Sequence, residues 1–230
     1  MNGMISHLPA VQVIVPLLTA PLVVMLRQRS LAWAAATAAS LCAFFVSLEL
    51  VSQVRAHGAM QYAVGSWAAP YGIELIVDSF SALLLMIVTG ASSAALLIAR
   101  TSLGREVPEN RQHLFYPAWL RALAGLTGIL VSGDAFNIFV FMEISSLATY
   151  ILIAGGPRRQ ALAAVFQYLI MGTIGATFYL IGVGLIYMMT GTLNLADMET
   201  RIRDVADLSP VLVAGGFITI GLALKAAVFP

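Results

Sequence analysis

The stretch Asp134–Ala154, DAFNIFVFMEISSLATYILIA, decides the fold. It is long enough to cross a bilayer, because about 20 apolar helical residues span the hydrocarbon core, which is about 30 Å thick. Counting about 1.5 Å per residue from Asp134 puts Glu143 roughly 14 Å below the membrane boundary, near the centre of the core. A carboxylate at this depth costs several kcal/mol unless it is protonated, paired or beside internal water. The stretch therefore predicts a membrane helix, and the carboxyl group of Glu143 within it is expected to have a structural or functional role that offsets this cost.

Two interpretations of Glu143 are open at this point. Either it is a neutral acid that hydrogen-bonds a neighbouring helix, or it belongs to an ion path or proton relay, the role that intramembrane carboxyl groups usually mark. Ser146 and Tyr150 follow at helical spacing on the same face, so we expect their hydroxyls to accompany the carboxyl group. Asp134 is expected either to cap the helix or to help ions enter at the outer mouth.

Composition predicts that the rest of the chain is also embedded in a membrane. Of 230 residues, 60% are hydrophobic and 10% are charged, and the mean hydropathy is +0.92, so too few polar residues remain to cover a soluble globule. The net charge of +1 is spread over loops without a basic run, which argues against a nucleic-acid partner and against a polybasic lipid-binding surface. A single cysteine, three dispersed histidines and no cofactor motif argue against a disulfide, a bound metal or a cofactor.

The apolar runs predict an all-α, polytopic membrane protein with about seven transmembrane helices. The predicted spans cover approximately residues 8–26, 31–54, 73–98, 115–131, 134–154, 160–190 and 210–230. The mixed segment 55–77 is interpreted as an interfacial loop, and Asp78 is expected to cap the third span. Only Ser132 and Gly133 separate spans four and five, which predicts a tight antiparallel hairpin. A close-packing face of small residues is expected in the sixth span at Gly172, Gly175, Ala176 and Gly182.

The distribution of arginines predicts the orientation. Connections after spans one, three and five hold Arg27, Arg29, Arg100, Arg105, Arg111, Arg158 and Arg159, whereas those after spans two, four and six hold Arg55, Arg201 and Arg203. Basic loops remain on the cytoplasmic side. We therefore expect a multi-pass protein of the cell inner (plasma) membrane whose N-terminus is not cytoplasmic.

Lys225 is a second charge within a predicted span. It is the only lysine of the chain and lies in the otherwise uncharged run LVAGGFITIGLALKAAVF, roughly 22 Å from the outer boundary when counted from Pro210 at about 1.5 Å per residue. Burial raises the pKa of a carboxylic acid and lowers that of an amine, whereas mutual attraction keeps both charged. A Glu143–Lys225 pair whose separation varies can therefore relay protons. The alternative is that Lys225 snorkels to the inner interface.

Seven spans with one lysine in the seventh are also typical of a retinal protein. A protonated Schiff base needs a nearby carboxylate, and the third span, SALLLMIVTGASSAALLIA, offers none at mid-membrane depth. This interpretation is therefore rejected.

Three segments resemble a known family of membrane subunits: GDAFNIFVFMEISSLATYILIAGG, FQYLIMGTIGATFYLIGVGLIYMMTGTLN and GLALKAAVFP. The family comprises the antiporter-like subunits shared by Mrp-type Na⁺/H⁺ antiporters, the membrane arm of respiratory complex I and membrane-bound hydrogenases. The block IELIVDSFSALL at Ile73–Leu84 resembles its N-terminal part, so the likeness covers Ile73–Pro230. Among the branches, the sequence is most similar to the D-type subunit of the Mrp-type antiporters.

The resemblance implies both an architecture and a charge pair. Residues 1–72 would form N-terminal helices with an interfacial loop, and residues 73–230 an antiporter-like module, the first half of an inverted-repeat fold. Glu143 and Lys225 would be the family's proton-relay pair. Many relatives carry a lysine where this sequence has Gln167, so that lysine's role would be lost or mediated by water. Ser146, Tyr150 and Gln167 would orient the connecting water. Relatives continue past Pro230 into an inverted second half. The present sequence would then be a fragment, a truncated gene product or one half of a split subunit.

The expected function is that of a membrane subunit of a multisubunit Na⁺/H⁺ antiporter, without cofactors or redox chemistry of its own. Its partners would be other membrane subunits, H⁺, Na⁺ and the lipid bilayer. The alternative is a proton-pumping, non-redox subunit of an NADH:quinone oxidoreductase or a membrane-bound hydrogenase, with the electron chemistry in other chains. A transport-inactive chain that only binds partners is a third possibility.

Overall fold

The computed structural model describes residues 5–26, 28–107, 109–156 and 159–228, and 81% of the chain is helical. In chain order the elements are α1 (Leu8–Met25), α2 (Arg29–His57), β1 (Met60–Ala63), a 3₁₀ turn (Val64–Ser66), β2 (Glu74–Val77), α3 (Ser79–Glu106), α4 (Glu109–Val131), α5 (Ala135–Ala154), α6 (Arg159–Thr190), α7 (Leu195–Ile202) and α8 (Ser209–Lys225). Helices α1 to α6 are long and apolar enough to cross a membrane, and α8 is a shorter apolar helix of 17 residues. The predicted all-α polytopic fold is thus confirmed.

The seventh predicted span is shorter than expected, because α8 ends at Lys225 and does not continue to residue 230. Beyond it, Ala227 adopts a left-handed conformation with φ of 52°, and the Val228 amide donates to the carbonyl of Ala223 at 3.0 Å. This pattern terminates helices and usually has glycine at the left-handed position. Since alanine occupies it here, the apolar run contains no local stop signal.

The segment expected to be an interfacial loop contains a β-hairpin. Strands β1 and β2 pair antiparallel, with Met60 opposite Val77 and Ala63 opposite Glu74. In β2 the burial alternates, with Leu75 and Val77 buried, but four residues are too few for this period to stand out in the sequence. The third span consequently begins at Ser79, later than predicted.

Asp78 caps α3, as predicted. Its Oδ1 accepts from the Ser81 amide at 2.7 Å, and its own amide donates to Ser81 Oγ at 2.9 Å, so the two residues form a capping box. The hydrogen bonds from the Ser81 amide and hydroxyl hold the pKa of Asp78 below its ordinary value. The cap fixes where the chain leaves the hairpin and enters the membrane.

Helices α4 and α5 form the predicted tight hairpin, since α4 ends at Val131 and α5 begins at Ala135. Their backbones approach closely at Gly125, where an added Cβ would lie 2.6 Å from the amide nitrogen of Ser145. The β-hairpin is attached to this turn by a hydrogen bond from the Gly133 amide to the Glu74 carbonyl at 2.9 Å. The start of α5 is therefore held from both sides.

The apolar core divides along the chain. Two clusters lie among α1 to α4 and the β-hairpin, and a third lies mainly among α5, α6, α7 and α8. Hydroxyl pairs join α2 to α3, with Ser40 Oγ 3.0 Å from Ser92 Oγ and Ser47 Oγ 3.1 Å from Thr89 Oγ1. Polar contacts of this kind hold helices together in lipid, where apolar burial does not favour helix association. The first four helices thus form a scaffold beside the second group.

The predicted small-residue face of α6 is confirmed by its packing against α8. An added Cβ at Gly182 would lie 2.6 Å from Ile218 Cγ1, and one at Gly221 would lie 2.7 Å from the Gly175 carbonyl oxygen. Any larger side chain at these positions would force the helices apart. This close contact determines where the end of α8 lies.

We predict that Asp78→Ala lowers the stability of the folded chain by about 1 kcal/mol, because the first turn of α3 loses its cap, whereas Asp78→Asn keeps most of the capping. The folded-state pKa of Asp78 lies below 3.8, so its stabilising effect is present above pH 3.8 and is lost as the pH falls through the folded-state value. Asp78→Asn should not show this loss. The measurement is the thermal unfolding midpoint of the native protein and both variants in detergent micelles, recorded over a range of pH.

Asp204→Ala is the matched control, since this aspartate is exposed after α7. Equal midpoints for Asp78→Ala and the native protein would contradict the capping role.

Candidate functional site

The structure brings the two intramembrane charges into contact. Lys225 Nζ donates to Glu143 Oε1 at 2.5 Å and to Ser146 Oγ at 3.0 Å. The Lys225 side chain is 11% exposed and that of Glu143 is 30% exposed, so water screens this ion pair less than it screens exposed pairs. The other two ion pairs of the described residues lie around α7, each between residues four apart.

Three helices position this pair. Glu143 and Ser146 are one turn apart on α5, so both can contact the same ammonium group. Lys225 is the last residue of α8, where the free carbonyl groups of a helix terminus favour a positive charge. On α6, an added Cβ at Gly175 would lie 3.4 Å from Lys225 Cγ and 3.0 Å from the Gly221 carbonyl oxygen. The absence of a side chain at Gly175 thus lets the backbone of α8 approach α6 closely beside Lys225.

Two tyrosines extend the polar side of this region. The rings of Tyr150 and Tyr168 meet edge to face, with centroids 5.0 Å apart, and Gly172 lies directly against the Tyr150 hydroxyl. Tyr150 follows Ser146 by one helical turn, so the predicted polar face of α5 runs past the ion pair and reaches α6.

A cavity of about 380 Å³ lies against Lys225 and is bounded by α4, α5, α6 and α8. The hydroxyl groups of Ser145, Ser146, Thr149 and Tyr168 belong to residues of its wall. A water molecule occupies about 30 Å³ in the liquid, so the cavity has room for several. Hydroxyl groups both donate and accept hydrogen bonds, which suits them to orienting a short water chain beside the ammonium group.

Gln167 does not join the other candidate residues. Its side chain is exposed on α6, and none of the hydrogen bonds of the structure connects it to Glu143 or Lys225. Tyr168 faces the cavity instead, because one step along a helix rotates the side chain by about 100°. The expectation that Gln167 orients water at the ion pair therefore has no support from its position.

Asp134 caps α5, which confirms one of the two roles considered for it. Its Oδ1 accepts from the Asn137 amide at 2.7 Å, and burial raises the pKa of this carboxyl group. At about 1.5 Å per residue it lies roughly 14 Å along the helix from Glu143. It therefore has no direct contact with the ion pair.

Several neighbours of the site have no signal in the sequence. Thr149 and Tyr168 line the cavity, although ordinary helical residues surround both along the chain. At the N-terminal end of α5, the buried Asn194 donates to Glu74 Oε2 at 3.0 Å across 120 positions of the chain. Contacts over such separations depend on how the helices pack and have no local signature.

No group of three or more His, Cys, Asp and Glu side chains in the described part of the chain is arranged to hold a metal ion.

Comparison with known proteins identifies the domain that contains this site. Residues 132–230 match the family described as NADH:quinone oxidoreductase/Mrp antiporter, transmembrane. The N-type subunit of the NADH-quinone oxidoreductase of Desulforudis audaxviator is 40% identical over 230 residues, which cover 99% of this chain and 46% of that protein. The D-type subunit of the Na⁺/H⁺ antiporter of Bacillus subtilis is 33% identical over 220 residues, which cover 95% of this chain and 44% of that protein.

A solved structure shows the same fold. The Mrp complex from Dietzia sp. DQ12-45-1b contains a chain with a TM-score of 0.85 and 29% identity, which covers 99% of this chain and 42% of that one. The similarity thus extends over nearly the whole chain, beyond residues 73–230, where the sequence motifs lie. The chain spans less than half the length of these relatives.

The Glu143–Lys225 contact and its glycine-packed helices thus lie within a domain that antiporter and respiratory subunits share. Residues 132–230 thus carry the transmembrane domain of the NADH:quinone oxidoreductase/Mrp antiporter family.

Proposed function

We propose that this chain is the proton-translocating part of a membrane subunit of a multisubunit Na⁺/H⁺ antiporter. Glu143 is the switching site and Lys225 is its partner. The observation that carries the proposal is the contact of 2.5 Å between these two charges in apolar helices. The similarity to the D-type Na⁺/H⁺ antiporter subunit of B. subtilis supports the choice of transported ions.

The contact can act as a switch because each charge is stable only beside the other. In contact, the ammonium and carboxylate groups compensate each other's loss of hydration. When they separate, an isolated charge near the bilayer centre costs about 3 kcal/mol, which corresponds to more than a hundredfold change in a protonation equilibrium. Separation therefore drives a proton onto Glu143 and another off Lys225, and renewed contact reverses both transfers.

Protons would reach the ion pair through the hydroxyl-lined cavity. Ser146 accepts from Lys225 at 3.0 Å, and Tyr150 continues the same face of α5. Chains of hydrogen bonds polarise one another in a medium of low dielectric constant, which favours proton transfer along ordered water. In this proposal Asp134 has a second role beside capping, which is to attract cations to the outer mouth.

The relatives are more than twice as long as this chain, so we propose that transport also needs the further helices that they contain. Transporters built from inverted repeats place their ion pathway between the two halves. The partners of the chain would be other membrane subunits, as in the Mrp complex, which is a multisubunit assembly. Lys225, at the end of α8, is positioned to pass charge onward to such a neighbour.

We place the protein in the cell inner membrane with its N-terminus on the non-cytoplasmic side. The argument is the excess of arginine in the connections after α1, α3 and α5. In this orientation Asp134 lies at the outer surface.

The alternative function is proton pumping driven by redox chemistry in an NADH:quinone oxidoreductase. The identity of 40% to an N-type subunit of such an enzyme favours it. The same ion pair would then respond to a conformational change in the redox subunits, and no electron would pass through this chain.

We predict that Glu143→Gln in the assembled complex abolishes Na⁺-dependent proton movement, because glutamine cannot bind a proton and leaves Lys225 without a counter-charge. The measurement is the Na⁺-induced change of internal pH in inverted membrane vesicles. Glu199→Gln is the control, because this glutamate is 70% exposed and pairs only with Arg203 among the described residues. Exchange close to the native rate in Glu143→Gln vesicles would rule out the switch.

The same vesicles distinguish the two functions when NADH oxidation is measured in parallel. Na⁺-driven proton exchange that persists without NADH, and is lost in Glu143→Gln, supports the antiporter. If proton movement occurs only during NADH oxidation, the redox-driven pump is correct.

The orientation predicts which exposed positions a membrane-impermeant maleimide reaches in spheroplasts. In a Cys42→Ser background, Glu199→Cys on α7 should be labelled without permeabilisation, and Thr101→Cys near the end of α3 only after it. Both positions are exposed, so the difference reports the side of the membrane. The opposite labelling pattern would reverse the proposed orientation.

A further inference from the structure

A second cavity, of about 220 Å³, lies away from the ion pair and is named the arginine cavity. Its walls are Arg29 and Ser30 at the start of α2, Trp33 one turn later, Arg100 on α3 and Tyr116 on α4. It shares no lining residue with the cavity beside Lys225. The proposed proton relay uses none of these side chains.

Within the described part of the chain, the two exposed guanidinium groups make few contacts, and these leave several of their donors without a protein partner. Arg29 Nη2 donates to the Arg100 carbonyl oxygen at 3.1 Å, and the Arg100 guanidinium lies 4.5 Å from the centre of the Trp33 ring. The indole of Trp33 is fixed by a hydrogen bond to the Leu96 carbonyl at 2.8 Å. An arginine carries five N–H donors, so each has several available for a ligand.

No described carboxylate neutralises these charges. The ion pairs of the described residues involve Arg201, Arg203 and Lys225, and neither Arg29 nor Arg100 is among them. Two like charges at one cavity repel each other unless an anion lies between them. Guanidinium groups match the geometry of phosphate and bind it through paired hydrogen bonds.

Tyr116 provides an independent sign that a ligand binds here. Its side chain is fully buried, and its hydroxyl group has no hydrogen-bond partner in the described part of the chain. A buried hydroxyl without a partner costs about 1–3 kcal/mol. Protein atoms cover the hydroxyl group beside the cavity wall, and a phosphate oxygen that reached it through a small shift of that wall would remove this cost.

The location favours a lipid over a soluble anion. Arg29 begins α2 and Arg100 lies six residues before the end of α3, so both lie near the same ends of membrane-crossing helices. Exposed apolar side chains adjoin them in sequence, namely Leu31, Leu97 and Ile98. A phospholipid places its phosphate at the level of the arginines and its acyl chains along these apolar residues.

We propose that the arginine cavity binds the phosphate of an anionic phospholipid headgroup. Arg29 and Arg100 hold the phosphate oxygens, Ser30 and Tyr116 donate hydroxyl hydrogen bonds, and Trp33 orients Arg100. The lipid thereby links the start of α2, the end of α3 and the first part of α4 on the arginine-rich side of the protein. This inference is independent of the transport function.

The test is lipid binding to the delipidated, purified complex that contains this chain. Phosphatidylglycerol is titrated while the thermal unfolding midpoint is recorded, with phosphatidylcholine and inorganic phosphate in parallel. The double variant Arg29→Gln/Arg100→Gln should weaken phosphatidylglycerol binding about tenfold or more, since each charge-assisted hydrogen bond contributes about that factor. The control is the double variant Arg55→Gln/Arg203→Gln, which removes the same amount of charge from exposed positions elsewhere. It should bind phosphatidylglycerol as the native protein does.

Tyr116→Phe separates a ligand role from a structural one. Because this change removes the unpartnered hydroxyl, the lipid-free protein should unfold at the same temperature or higher, and phosphatidylglycerol should raise that temperature by less than in the native protein. Unchanged phosphatidylglycerol binding in the double arginine variant overturns the proposal. Inorganic phosphate that binds as tightly as the lipid also overturns it, because the cavity would then be a site for free phosphate. The proposal is wrong as well if a partner subunit covers the cavity in the complex and phosphatidylglycerol does not bind.

Discussion

The contact between the Lys225 ammonium group and the Glu143 carboxylate is the interaction on which the rest of this structure depends. Both charges lie in apolar helices, and 82 residues of chain separate them. Either charge alone would cost about 3 kcal/mol near the bilayer centre, so each makes the other possible. Most of the remaining structure fixes the two helices that bear them, α5 and α8, at the separation that the contact requires.

Two kinds of packing achieve this. Helix α5 is positioned by its Asp134 cap and by the tight turn from α4, while the glycines of α6 and α8 bring their backbones into contact. None of these supports is a hydrogen bond of the Glu143 carboxylate or the Lys225 ammonium group. Opening of the ion pair, which the proposed switch requires, would leave these supports in place. The arginine cavity lies in the N-terminal scaffold and concerns the attachment of that scaffold to lipid.

The sequence allowed Glu143, Lys225 and the hydroxyls of Ser146 and Tyr150 to be predicted, but not the residues that other helices contribute around them. Hydropathy gives the depth of a residue in a membrane, so a lone glutamate and a lone lysine at similar depths stand out. Helix rotation is different, because these helices are apolar on all sides and show no polar stripe. Gln167 was expected to orient water because it matches a lysine of many relatives, whereas the α6 side chain that lines the cavity is Tyr168. The β-hairpin and the end of α8 at Lys225 were missed because four-residue strands and an alanine in a left-handed turn lack local signals.

The most direct test of the ion pair is the ionisation state of Glu143, measured by infrared spectroscopy of the purified complex in lipid at neutral pH. The Glu143→Gln spectrum identifies the band, and Lys225→Met removes the counter-charge with little change in volume. We expect Glu143 to absorb as a carboxylate in the native protein and as a protonated carboxylic acid in Lys225→Met. The same ionisation state in both proteins would show that Lys225 does not control the proton on Glu143, and the proposed relay would be wrong.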